Sequence, residues 1–134
     1  MTDSARYVAW ADSRNGNYVI TVVRHQAGAW SNLDGTTAFE SVSNSLAQAR
    51  RPSLAMDAGD PVVAWTEIAP GGASNIKVAK WNGASWSALG AGPNMQIVNA
   101  LTAFDAGAGP KLHAAGFGNP FGGPTNIGMV SRWD

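Results

Sequence analysis

Residues 61–90 read PVVAWTEIAPGGASNIKVAKWNGASWSALG, and the rest of the chain is legible against this stretch. Val62, Val63, Ala64 and Trp65 form a β-rich apolar run, which Pro70-Gly71-Gly72 ends; a second run extends from Ile76 to Trp81. Asn82-Gly83 turns the chain again before a short third run, Trp86 to Leu89. Asn-Gly between two β-rich segments is the strongest short-range hairpin signal. Immediately upstream, Ser53 to Asp57 (SLAMD) alternates and ends on an acid before Ala58-Gly59-Asp60-Pro61. Its carboxylate suits a turn because it can accept nearby backbone N–H groups. The unit thus predicted is four short antiparallel strands over about 52–90.

The same unit recurs on both sides. Tyr7 to Trp10 (YVAW) matches Val62 to Trp65 (VVAW) at three of four positions, with a spacing of 55 between Trp10 and Trp65. His25 to Trp30 (HQAGAW) runs parallel to Trp81 to Trp86 (WNGASW) at a spacing of 56 from Trp30 to Trp86, with Leu33 and Leu89 in register behind them. Tyr18 to Arg24 (YVITVVR) takes the place of the second run. On the other side, Leu101 to Asp105 (LTAFD) repeats the opening strand. Lys111 to Phe117 (KLHAAGF), a turn over Gly118 to Pro124 and Ile127 to Trp133 (IGMVSRW) repeat the next two, with Trp133 in the place of Trp81. The first unit, about 1–35, lacks an opening strand and the third, about 99–134, lacks a final one, so three, then four, then three strands are expected. Between units one and two, Thr36 to Arg51 reads as a polar connection anchored by Ala38-Phe39 and Leu46, its Ser and Asn residues competing for backbone hydrogen bonds.

Composition narrows the class. The 134 residues suffice for one domain with a core. Sixteen Gly, seven Pro and six Trp describe an all-β chain of many turns and large aromatic anchors. Nine basic residues balance nine acidic ones, so neither nucleic acid nor an anionic membrane is an expected partner. The absence of cysteine excludes disulfides, thiolate nucleophiles and cysteine-held zinc, and leaves a cytoplasmic location as open as an exported one. No apolar run approaches the roughly 18 residues of a membrane span, and Met1 to Arg6 lacks the architecture of a signal peptide. Membrane insertion is not expected, and an export signal would lie outside this chain.

Four-stranded units spaced at roughly 40–50 residues are the mark of β-propeller blades. The segments PSLAMDAGDPVVAWTE (52–67) and IKVAKWNGASWSALG (76–90) resemble the tandem propeller repeats of bacterial surface and secreted proteins, related in style to kelch-like and sialidase-like propellers. This resemblance spans nearly the whole chain. It implies a radial array of four-stranded blades, a secreted or cell-surface setting, and a binding or scaffolding module attached to other domains. It implies no cofactor. Ser31 to Thr37 (SNLDGTT) approaches the Asp-box turn of sialidases but departs in spacing and lacks its Trp; Gly71-Gly72 and Gly122-Gly123 sit in turns and not before the aromatic of a kelch repeat.

Candidate site residues follow from position in the repeat. Asp12 and Glu67 both follow the Val-Ala-Trp strand at one offset and would project from equivalent places on adjacent blades. Such a pair can bind a hard cation or, at roughly 5 to 9 Å, serve as acid and base on a glycoside. With Arg14 they form the only nucleus for a ligand or a glycosidase-like site. The competing assignment is an acid that caps each hairpin, and the third unit has Gly116 there. Trp30 and Trp86 could stack a sugar ring, as a similar Trp-x-Gly-x-x-Trp pattern does in some propeller lectins, but repeated Trp packs between blades, and this is the role expected of them. Trp10 and Trp65 read as core, and His25 and His113 as structural. Asp12 to Asn17 resembles a calcium loop only faintly, with a cation at Arg14 and no distal Glu. The expected function is non-catalytic binding or scaffolding, with carbohydrate or a protein surface as partner. A glycosidase or sialidase-like enzyme and a purely structural segment are the alternatives. Because one complete blade between two incomplete ones does not close, association of copies or membership of a longer propeller is also expected.

Overall fold

The computed structural model describes residues 4–13, 16–38, 40–43, 46–72, 74–89, 97–105, 107–118 and 127–133. These form ten strands: β1 (Arg6–Asp12), β2 (Val19–Gln26), β3 (Ala29–Ser31), β4 (Gln48–Asp57), β5 (Asp60–Ile68), β6 (Ser74–Trp81), β7 (Trp86–Ala88), β8 (Ile97–Asp105), β9 (Pro110–Gly118) and β10 (Ile127–Trp133). They make three separate antiparallel sheets, ordered β1-β2-β3, β4-β5-β6-β7 and β10-β9-β8. The protein is therefore all-β, with three, four and three strands in succession, and no described sheet closes on itself. No described helix is long and apolar enough to cross a membrane.

The repeat spacing reappears as strand register. In the first sheet Ala9 pairs with Val22, Trp10 with Thr21 and Asp12 with Val19. In the second, Ala64 pairs with Val78, Trp65 with Lys77 and Glu67 with Asn75. His25 opposite Trp30 has its counterpart in Trp81 opposite Trp86. The apolar alternation is thus repeated on the same side of the pleat in both sheets, which a slip of one residue would have reversed.

The middle sheet is covered on both faces, which is why Pro61 to Thr66 is buried without a break and reads as a continuous apolar run. Val62 and Ala64 face the third sheet, in a cluster with Ile76, Val78, Val98, Leu101, Leu112 and Ala114. Val63 and Trp65 face the first, in a cluster with Ile20, Val22, Leu33, Ala49 and Ala79. Each fully buried Val or Ile contributes about 1.5–3 kcal/mol, so these two interfaces hold the sheets together.

Four sequence expectations are modified. The connection ends at Ala47 and not at Arg51, because β4 begins at Gln48. Here Ala49 N donates to Tyr18 O (2.8 Å), Tyr18 N donates to Gln48 Oε1 (3.1 Å) and the Arg50 guanidinium lies 4.2 Å from the centre of the Tyr18 ring. A bulge between Arg50 and Ser53, with Arg51 at φ 55°, then carries the strand onward. Second, Trp10 is half-buried while Trp65 is core, because no described sheet lies on the outer side of β1. Third, Asp105 accepts N–H from Gly107 (2.7 Å) and Gly109 (3.1 Å) as a turn acid should, whereas Asp57 instead pairs with Lys80 Nζ at 3.0 Å. Fourth, Trp30 does not pack between sheets; 45% of it is exposed. The expected anchor Phe39 and the turn residues 119–124 lie outside the described residues.

Candidate functional site

After β3 the chain leaves the sheet in a compact loop before resuming along β2. Asn32 organises it. Its backbone N donates to Thr36 O (2.8 Å), and its side-chain Nδ2 donates to Thr36 Oγ1 (2.7 Å) and Ala38 O (2.9 Å). Its Oδ1 accepts from Glu40 N at 3.4 Å. Asp34 Oδ1 accepts both the backbone N–H (2.9 Å) and the hydroxyl (2.7 Å) of Thr36. These bonds favour the carboxylate form and hold the pKa of Asp34 below the ordinary value, with the Thr36 backbone N–H the larger cause. Gly35, at φ 92°, supplies the left-handed turn residue. Leu33 is buried in the inter-sheet cluster and pins the loop from below. The chain then rejoins the sheet: Val42 N donates to Ile20 O (2.7 Å) and Ile20 N donates to Ser43 Oγ (2.8 Å).

This loop faces the β6–β7 end of the middle sheet across a cleft of about 190 Å³. One wall is Asn32, Leu33, Asp34, Glu40, Ser41 and Val42, with Val22 beside them; the other is Trp81, Ala84, Ser85 and Trp86. Trp81 and Trp86 meet edge to face, 5.7 Å between ring centroids at 66°. Asn82 fixes the turn behind them by accepting from Ala84 N and Ser85 N, both at 2.9 Å. The cleft therefore combines indole surface with two carboxylates, two hydroxyls and an amide. That is a set for stacking a ring and hydrogen-bonding its substituents.

Of the residues weighed from sequence for ligand binding, the described ones lie elsewhere except Trp86, although the stretch compared with an Asp-box supplies Asn32, Leu33 and Asp34 to the cleft. Asp12 and Glu67 hold equivalent register positions in adjacent sheets, but neither lines the cleft. Asp12 is buried, 8% exposed, at the end of β1, while half-buried Glu67 accepts from Trp65 Nε1 at 3.3 Å. Glu67 thus receives an indole N–H within its own strand. Arg14 lies outside the described residues. Among the described residues no three His, Asp or Glu side chains are grouped to hold a metal ion. Trp86 does line the cleft, and it packs against the inter-sheet core as well. Trp30 meets His25 instead, with ring centroids 4.8 Å apart and the planes tilted by 52°.

Sequence reasoning missed Asp34, Glu40 and Trp81 as one group. A signal existed in the departure of the first unit from its own repeat: Asn32-Leu33-Asp34 stands where the second unit has Ala88-Leu89-Gly90. Polar residues that the repeat does not require are candidates for another role. In comparisons with protein-family models, curated proteins and solved structures, nothing matches the chain.

Proposed function

We propose that the three sheets are consecutive blades of a propeller-type repeat, and that the protein is a non-catalytic binding module which takes a carbohydrate in the cleft between its first two blades. The repeated register supports the first half, as does the position of β4, which lies against both β1 and β8 as the inner strands of a radial array do. The observation that carries the second half is the pair Trp81 and Trp86 facing Asp34 and Glu40. Indole offers a flat apolar surface to the C–H face of a sugar ring, and carboxylates accept its hydroxyl protons. A volume of about 190 Å³ falls below the roughly 300–1,000 Å³ of sites for drug-sized ligands and suits a single ring better than a protein surface. The extracellular setting implied by the repeat resemblance fits this role.

A glycan array run beside a panel of chromogenic glycosides tests the proposal. Retention without turnover is expected, and Trp86→Ala should abolish retention while lowering stability by about 1–3 kcal/mol, less than a fully buried aromatic costs. Turnover would transfer the function to the enzyme alternative, with Asp34 and Glu40, which line the cleft, the first carboxylates to replace and Asp12 and Glu67 the next. A Trp86→Ala variant that still binds the same glycans would remove the cleft from the account.

A further inference from the structure

We propose that the cleft selects ligands bearing an organic ammonium group, such as an amino sugar or a trimethylammonium compound, over their neutral counterparts. This rests on the cleft being the binding site, and goes beyond it in naming the charge of the ligand. Among the described residues, Asp34 and Glu40 are the only charged ones along the cleft. Asp34 is oriented by two bonds from Thr36, both to the same Oδ1, so the loop commits only one of its carboxylate oxygens. Across from them stand two indoles, the best aromatic partners for a cation. The edge-to-face arrangement of Trp81 and Trp86 gives two differently inclined π surfaces, as a small cage for a cation requires.

Among the described residues, neighbouring cations do not neutralise the site. Lys80, next to Trp81, is held by Asp57 at 3.0 Å with Asp60 at 3.9 Å. Arg24, two residues along β2 from Val22, does not line the cleft. A neutral sugar would leave two negative charges at the rim without a counter-charge, whereas an ammonium gains from both carboxylates and both rings. At an exposed site each such contribution is worth a few-fold in affinity.

Tryptophan fluorescence titrations with glucosamine, N-acetylglucosamine, glucose and choline test this. Glucosamine should bind about tenfold or more tightly than glucose and N-acetylglucosamine, and more weakly as salt is raised. Glu40→Gln and Asp34→Asn should each weaken glucosamine about fivefold, and more than they weaken glucose; thermal melts of both variants control for folding. Choline binding on a par with glucosamine would show that the ammonium group suffices, and glucosamine binding alone would place it on a sugar. Equal affinity for glucosamine and glucose overturns the charge selection while leaving the carbohydrate site standing. A flat signal with every probe overturns both.

Discussion

Thr66 is the buried residue whose chemistry is least matched to its surroundings. It sits in the central strand β5, facing the third sheet beside Val62 and Ala64, and its Oγ1 has no hydrogen-bond partner among the described residues. A buried hydroxyl without a partner costs about 1–3 kcal/mol, and valine has nearly the same shape and a higher strand preference. Thr66→Val should therefore raise stability by about 0.5–1.5 kcal/mol, read as a higher urea midpoint at unchanged slope. An unchanged or lower midpoint would mean that the hydroxyl is satisfied. Asp34 presents the opposite case, an exposed carboxylate made useful by its bonds. Because its folded pKa is depressed, its contribution to the loop is whole above its unfolded value and is lost as pH falls through the folded value. Carboxyl NMR titrations should show the Asp34 midpoint moving up toward the ordinary value in Thr36→Ala, which removes the side-chain bond while the backbone N–H remains.

Among the elements, the hairpins show where local chemistry and fold disagree. The two-residue turns Ala27-Gly28 and Ala58-Gly59 have both residues at positive φ, 52° and 79° in one and 52° and 88° in the other. That backbone matches the twist of the flanking strands and is the one Asn-Gly favours. Alanine in the left-handed region costs roughly 1 kcal/mol, which asparagine largely avoids. Ala58→Asn, and independently Ala27→Asn, should each stabilise the protein by about 0.5–1 kcal/mol; a loss of stability in chemical denaturation would show that these turns are not of this type. The chain's own Asn82-Gly83 is used differently. Asn82 stays out of the left-handed region and its side chain accepts two backbone N–H groups, which makes a longer loop over residues 82–85 and places Ala84 and Ser85 on the cleft.

For the whole molecule, the outer faces matter most. On the middle sheet Val63 is 0% exposed because it packs on the first sheet. Its counterpart on the first sheet, Val8, is 44% exposed, and Trp30, the counterpart of Trp86, is 45% exposed. The far side of the third sheet leaves Phe104 59% and Phe117 48% exposed. Apolar faces of this kind are suited to covering by another surface, and the first sheet carries the same pattern with which the second packs on its neighbour. Whether copies associate through these faces is a matter for measurement in solution. Light scattering should find a discrete oligomer at low micromolar concentration, and Trp30→Glu should shift it toward monomer without loss of β signal in far-UV circular dichroism. A dispersed, cooperatively folding monomer would sink this expectation, while aggregation without a defined size would favour a longer propeller as the natural setting.

The strands, their number in each sheet and the offset of 55–56 between the first two units were legible in the sequence. These features depend on local chemistry: β-branched runs, turn residues and the two-residue period of the pleat. The sequence likewise made Trp10 and Trp65 look alike, as they do locally. Only the tertiary structure distinguished them, because burial depends on whether a second sheet lies on that face, and one lies on Trp65 but none of the described sheets on Trp10. The candidate site was hidden for the same reason. Asp34 and Glu40 come from a loop that Asn32 closes by its own hydrogen bonds, Trp81 and Trp86 come from a hairpin some fifty residues away, and the packing of two sheets through Leu33, Val22 and Trp65 brings them to one cleft.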